Sequence, residues 1–163
     1  MRSESSAPSG ANVLTQLDPD ATEERFPIAV LDTPILRNVR VSVRCKIVAG
    51  VVDQACGLVA RYRDTDNYYI TRANALENNV RLYFVRDGRR ELMANWNGPV
   101  ASNVWHAFQF EIEDDRLKVT WDGLLVIDHH DRVHSEAGRV GVWTKSVSIA
   151  YYDDLTVGAQ RER

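Results

Sequence analysis

Val39, Val41, Val43, Cys45 and Ile47 alternate with Arg40, Ser42, Arg44 and Lys46, a period of two that predicts a strand with one apolar and one basic-polar face. Similar short runs, rich in Val, Ile, Tyr, Phe and Trp, occupy Cys56 to Tyr62, Asn67 to Ala73, Asn79 to Val85, Leu117 to Trp121, Leu124 to Asp128, Arg139 to Thr144 and Ile149 to Val157. His106, Phe108, Phe110 and Ile112 share one face of a further strand. Turn-forming residues separate the runs, among them Asn74 to Asn78, Asp87-Gly88, Asp114-Asp115 and Asp122-Gly123. No segment sustains a helical period. About a dozen short strands are too many for one small barrel, so the predicted fold class is all-β, an antiparallel sandwich of two packed sheets.

The 163 residues fit one domain. Residues 1–12, rich in Ser, Pro and Gly, read as a disordered tail. Residues 13–157 read as the sandwich, opening on a short edge strand at Val13 to Gln16, and residues 158–163 as a polar C-terminal tail. Twenty Lys and Arg against 23 Asp and Glu give a net charge of -3, which leaves no basic field to gather nucleic acid. No apolar run is long enough to insert in a membrane, and no secretion signal opens the chain. An exported parent trimmed of its leader would read the same, so the compartment is left open.

Cys45 and Cys56 fall in the apolar register of consecutive runs and are expected to face each other across a hairpin near Gly50-Val51. A cross-strand disulfide and two reduced, buried thiols both fit. The strain of bridging directly opposite strand residues favours the thiols.

The run Arg72-Ala73-Asn74-Ala75-Leu76-Glu77-Asn78-Asn79-Val80-Arg81-Leu82-Tyr83, with Asp66 to Tyr69 before it, resembles the domain family named for 3-keto-disaccharide hydrolase. So do Trp105-His106, the Trp121-Asp122-Gly123 turn, Gly138 to Lys145, and Tyr152 to Val157. The resemblance spans about Val39 to Val157 and implies a concanavalin A-like jelly roll with a glycan-related role, either binding or hydrolysis. That family usually opens with one more strand, so a shortened member or a piece of a longer chain is expected.

Arg72 to Arg81 packs two guanidinium groups, three amides and the Glu77 carboxylate around one turn, a set suited to sugar hydroxyls that both donate and accept. A turn braced by its own Asn side chains, with Arg72 and Glu77 as a structural ion pair, accounts for the same residues. Tyr69, Trp105 and Trp143 fall opposite the apolar register, where an outward ring offers a stacking platform for a sugar; packing beneath a loop is the alternative for each. The expected binding face is therefore a concave sheet carrying Tyr69, Arg72, Glu77, Arg81, Trp105 and Trp143, with carbohydrate as partner.

Other chemistry is less well supported. Glu111-Ile112-Glu113-Asp114 begins like the carboxylate strand of sandwich glucanases, but Arg116 stands where the general acid belongs. His129, His130 and His134 lie in a polar stretch without a frame to converge on zinc. Calcium is allowed by the acidic pairs Asp64/Asp66 and Asp153/Asp154, although no loop has an ordered ligand spacing. No cofactor is assigned, and enzymatic activity is left undecided: a hydrolase would use Glu77 or a carboxylate near Asp153. A purely structural or protein-interaction module is the remaining alternative.

Overall fold

The computed structural model describes residues 1–161, which form thirteen strands and no helix. These are β1 (Arg2–Ser3), β2 (Asn12–Thr15), β3 (Ile28–Val30), β4 (Val39–Ala49), β5 (Ala55–Asp64), β6 (Asn67–Asn74) and β7 (Asn79–Arg86). There follow β8 (Arg89–Asn97), β9 (Trp105–Glu113), β10 (Arg116–Trp121), β11 (Leu124–His130), β12 (Arg139–Trp143) and β13 (Ile149–Ala159). Seven strands make one antiparallel sheet in the order β1-β2-β13-β4-β9-β10-β11, and six make the other, β3-β12-β5-β6-β7-β8. The all-β, two-sheet sandwich expected from the alternation is the observed fold, and it is a jelly roll, as the resemblance implied.

The apolar sides of the strands meet between the sheets. Val39, Val41, Val43, Cys45 and Ile47 of β4 pack with Phe108, Phe110 and Ile112 of β9 on one wall, and with Leu58, Tyr69, Leu82, Val140 and Val142 on the other. Arg40 and Arg44 point to solvent, as their register requires.

The β4–β5 connection departs from the expected hairpin, because it carries the chain from the seven-stranded sheet to the six-stranded one. Gly50 permits this crossing: its φ is 151°, and a Cβ there would lie 1.8 Å from the Asp53 carbonyl oxygen. Cys45 and Cys56 consequently stand on opposite walls of the core, fully buried, with Cα atoms 6.7 Å apart and joined as a disulfide. The expectation of two reduced thiols is corrected on that geometry, since the strain argument applied to neighbours within one sheet.

Residues 1–12, read as a tail, fold back as an arm. β1 pairs with β2, Ser9 donates to Asp153 through its amide and hydroxyl, and Glu4 pairs with Lys46 at 3.7 Å. These contacts are polar and leave no hydrophobic period to read. At the other end β13 continues through Ala159, into the expected polar tail, and residues 162 and 163 lie outside the described residues.

Candidate functional site

Strand pairing sets out the outer face of the six-stranded sheet in rows. Trp143, Gly57, Arg72, Arg81 and Asn95 are successive register partners, and beside them run Gly141, Val59, Ile70, Tyr83 and Leu92. On the other flank Asn74, Asn79 and Asn97 line up. One end of this face is thus amide- and guanidinium-rich, and the middle is apolar and aromatic.

The turn between β6 and β7 brings Glu77 to the polar end. Asn74 Oδ1 accepts from the backbone N–H groups of Leu76 (2.9 Å) and Glu77 (3.3 Å), while its amide donates to Asp53 at 2.8 Å. Asp53 is held in turn by Lys145 at 3.0 Å, so a buried ion pair braces the turn. Glu77 Oε2 accepts from Arg72 Nη2 (2.8 Å) and Asn79 Nδ2 (3.1 Å), and Arg81 Nη1 lies 3.8 Å away. Glu77 Oε1 has no hydrogen bond among the described residues, and the side chain is 42% exposed. Burial pushes this carboxyl up, but the Arg72 charge, hydrogen bonds from Asn79 and Arg72, and the Arg81 charge outweigh it and hold it below the ordinary glutamate value.

Arg72 is 4% exposed; besides Glu77 it donates to Asn79 Oδ1 and to the Tyr83 hydroxyl. Arg81 Nε donates to Asn95 Oδ1 at 3.0 Å, and Asn95 Nδ2 passes the chain on to Asn97 Oδ1 at 3.0 Å. Asn95 and Asn97 are exposed. The result is a braced shelf whose outward groups are a carboxylate oxygen, a guanidinium and two amides.

The aromatic middle of the face is covered. Trp143 is 1% exposed, stacked under Phe26 at 5.5 Å with planes 18° apart. Its indole lies over Gly57, where an added Cβ would come within 2.9 Å of Cε3. Arg90 then lies over the rings of Tyr83, Phe26 and Trp143, at 4.5, 4.8 and 6.0 Å from their centroids.

Of the six residues expected on one face, Arg72, Glu77 and Arg81 come together. Trp143 is on the expected side of its strand but serves as packing rather than as an open platform. Tyr69 faces the interior instead: its hydroxyl donates to Asp131 at 2.5 Å and accepts from the His134 N–H at 3.0 Å, and burial pushes the phenol pKa well up. Its neighbour Tyr68 takes the outer side. Trp105 belongs to β9 in the other sheet, with its indole N–H on Ser6 Oγ at 3.1 Å. Tyr83, Arg90, Asn95 and Asn97 complete the face and were not anticipated.

Most of the other candidate groups have structural partners. Glu111 receives Arg40 at 2.6 Å and Lys118 at 2.5 Å with its carboxylate 5% exposed. Asp128 is bidentate to Arg116, His130 meets Asp115, and His134 Nε2 lies 2.7 Å from the Val85 carbonyl. His106 sits between Asp122 and the Ala101 carbonyl, stacked on Trp121. Among the described residues no three His, Cys, Asp or Glu side chains form a group that could hold a metal ion.

No family model matches the chain. Over 83 residues it is 34% identical to the levanase of Bacillus subtilis (strain 168), a stretch covering 50% of this chain and 12% of the levanase's length. In structure it is similar to the carbohydrate-binding module CBM66 from Bacillus subtilis, with a TM-score of 0.72 and 22% identity over 85% of this chain and 94% of that one. Sheep galectin-11 shares the fold at a TM-score of 0.57 and 8% identity, over 84% of this chain and 98% of the galectin. The chain thus has the galectin-like jelly-roll fold that these structures share.

Proposed function

We propose that this chain is a carbohydrate-binding domain and that its site is the shelf of Arg72, Glu77, Arg81, Asn79, Asn95 and Asn97. The observation that carries this reading is the division of labour at Glu77. One carboxylate oxygen, Oε2, accepts from Arg72 and Asn79 with Arg81 3.8 Å away, which fixes the group, and the other, Oε1, is left without a hydrogen bond among the described residues. An acceptor and a charged donor fixed side by side suit two adjacent hydroxyls of one sugar ring. The likeness to a levanase, and to a module whose name records carbohydrate binding, supports the same reading. Levan, the polymer a levanase is named for, is accordingly the first ligand to test.

A hydrolase related to the 3-keto-disaccharide hydrolases is less well supported. A general acid needs a raised pKa, and the carboxyls of Glu77 and Asp153 are both held below their ordinary values. Isothermal titration with levan oligosaccharides and a panel of other neutral glycans, compared with Glu77→Gln and Arg81→Ala, tests the proposal. Each substitution removes a charge-assisted hydrogen bond and should weaken binding by about tenfold or more in a domain that circular dichroism shows to remain folded. Variants that bind like the parent chain would overturn the site, and a chain that binds no glycan would overturn the function.

A further inference from the structure

Around the Tyr83 ring three guanidinium groups gather against one carboxylate. Arg72 and Arg81 donate to the phenol oxygen at 3.3 and 3.5 Å, Arg72 and Arg90 lie over the ring at 5.9 and 4.5 Å from its centroid, and Glu77 pairs with Arg72 and Arg81. Arg90 differs from the other two. No hydrogen bond or ion pair engages its guanidinium among the described residues, and Nη1 is buried against the rings without a partner. The remaining nitrogens of the group are neither buried nor bonded, so they open outward from the face that carries the Glu77 shelf.

A cation laid on three aromatic rings is fixed in place and partly desolvated without being neutralised. An anion reaching it would gain two parallel hydrogen bonds in the fork geometry that carboxylates and sulfates match. A neutral sugar leaves that charge unanswered.

We propose that Arg90 is the anion-recognising element of this face, and that the sugar it takes bears a negatively charged substituent next to the ring engaged at Glu77 and Arg81. This rests on the carbohydrate-binding reading and names the class of sugar. The chemistry is shared by carboxylate and sulfate substituents, and the planar fork accepts either.

The test titrates the chain with three sets of oligosaccharides: neutral fructans, uronic acid oligomers and sulfated oligomers. Each is measured from about 0.01 M to about 1 M salt, across which the screening length falls from roughly 30 Å to 3 Å. At least one acidic set should bind tenfold or more tighter than the neutral set at low salt and lose that advantage at high salt. Whichever acidic set binds tighter identifies the substituent. Arg90→Gln should abolish the acidic preference, and Arg90→Lys should keep part of it. Should Arg90→Gln fail to fold, the salt dependence of the parent chain decides alone. Neutral sugars binding as tightly as acidic ones, or an acidic preference unchanged in Arg90→Gln, would overturn this proposal and leave the Glu77 shelf standing. Binding by none of the three sets would overturn both.

Discussion

Replacing Trp143 by alanine should destabilise this protein as a whole rather than merely blunt its binding. The indole is 1% exposed, is stacked under Phe26, lies over Gly57, and supports Arg90 from below. Its Nε1 is buried and makes no hydrogen bond of full geometry, so the substitution chiefly removes packing. Truncating a buried tryptophan costs about 3–5 kcal/mol, the spread reflecting how far the site collapses. For a chain of this length each kcal/mol shifts the midpoint by about 2–4 °C, so the melting temperature should fall by roughly 6–20 °C. That is a large part of a total stability of about 5–15 kcal/mol. Thermal melts followed by far-ultraviolet circular dichroism, with guanidinium unfolding as a check on the slope, measure it. A fall of less than about 3 °C, equivalent to roughly 1 kcal/mol, would refute the assignment of Trp143 to packing and return it to the ligand-facing role expected from its register.

Two further perturbations test the frame and the site. Replacing Cys45 and Cys56 together by alanine opens a tether between residues 11 apart in sequence and should cost about 3 kcal/mol, seen as a lower melting temperature that reducing agent no longer changes; an unaltered midpoint would mean the tether contributes nothing. Because the Glu77 carboxyl titrates below its ordinary value in the folded chain, its contribution is complete above the unfolded glutamate value and is lost as pH falls through the lower, folded one. Affinity for a neutral sugar should therefore persist through the ordinary glutamate range and fail below it, and Glu77→Gln should lack that acid limb.

The fold was legible because most strands obey a simple rule. β4 and β9 each bury one side in the core and leave most of the other more open, so alternation alone orients them. β6 breaks the rule. Its residues Tyr68 to Ala73 are buried on both sides, since Phe26, Ile28 and Val30 cover part of the outer face. A strand buried twice has large residues in both registers, and nothing in Tyr68-Tyr69 says which ring turns inward. The Arg72-Glu77-Arg81 cluster was readable because its members sit within one hairpin, where sequence neighbours are spatial neighbours.

The rest of the shelf depends on a single irregularity that composition does not announce. From the Asp87-Gly88 turn the β7–β8 pairing runs Val85 with Arg90, Phe84 with Glu91 and Tyr83 with Leu92, then slips by one residue. Beyond the slip Leu82 meets Ala94, Arg81 meets Asn95 and Asn79 meets Asn97. Had the first register continued, Arg81 would face Ala94 and Asn79 would face Trp96, and the amides would point to the opposite side. The bulge thus puts Asn95 and Asn97 beside Arg81 and sends Trp96 opposite Val80, where it packs at the edge of the core. Gly98 makes room for that inward ring, because a Cβ there would lie 2.1 Å from it. A bulge that seats one tryptophan and exposes two amides joins packing to recognition in the same step, and the strand carrying it also delivers Arg90. The apolar demand of Trp96 thereby selects the register in which β8 can offer polar groups to a ligand.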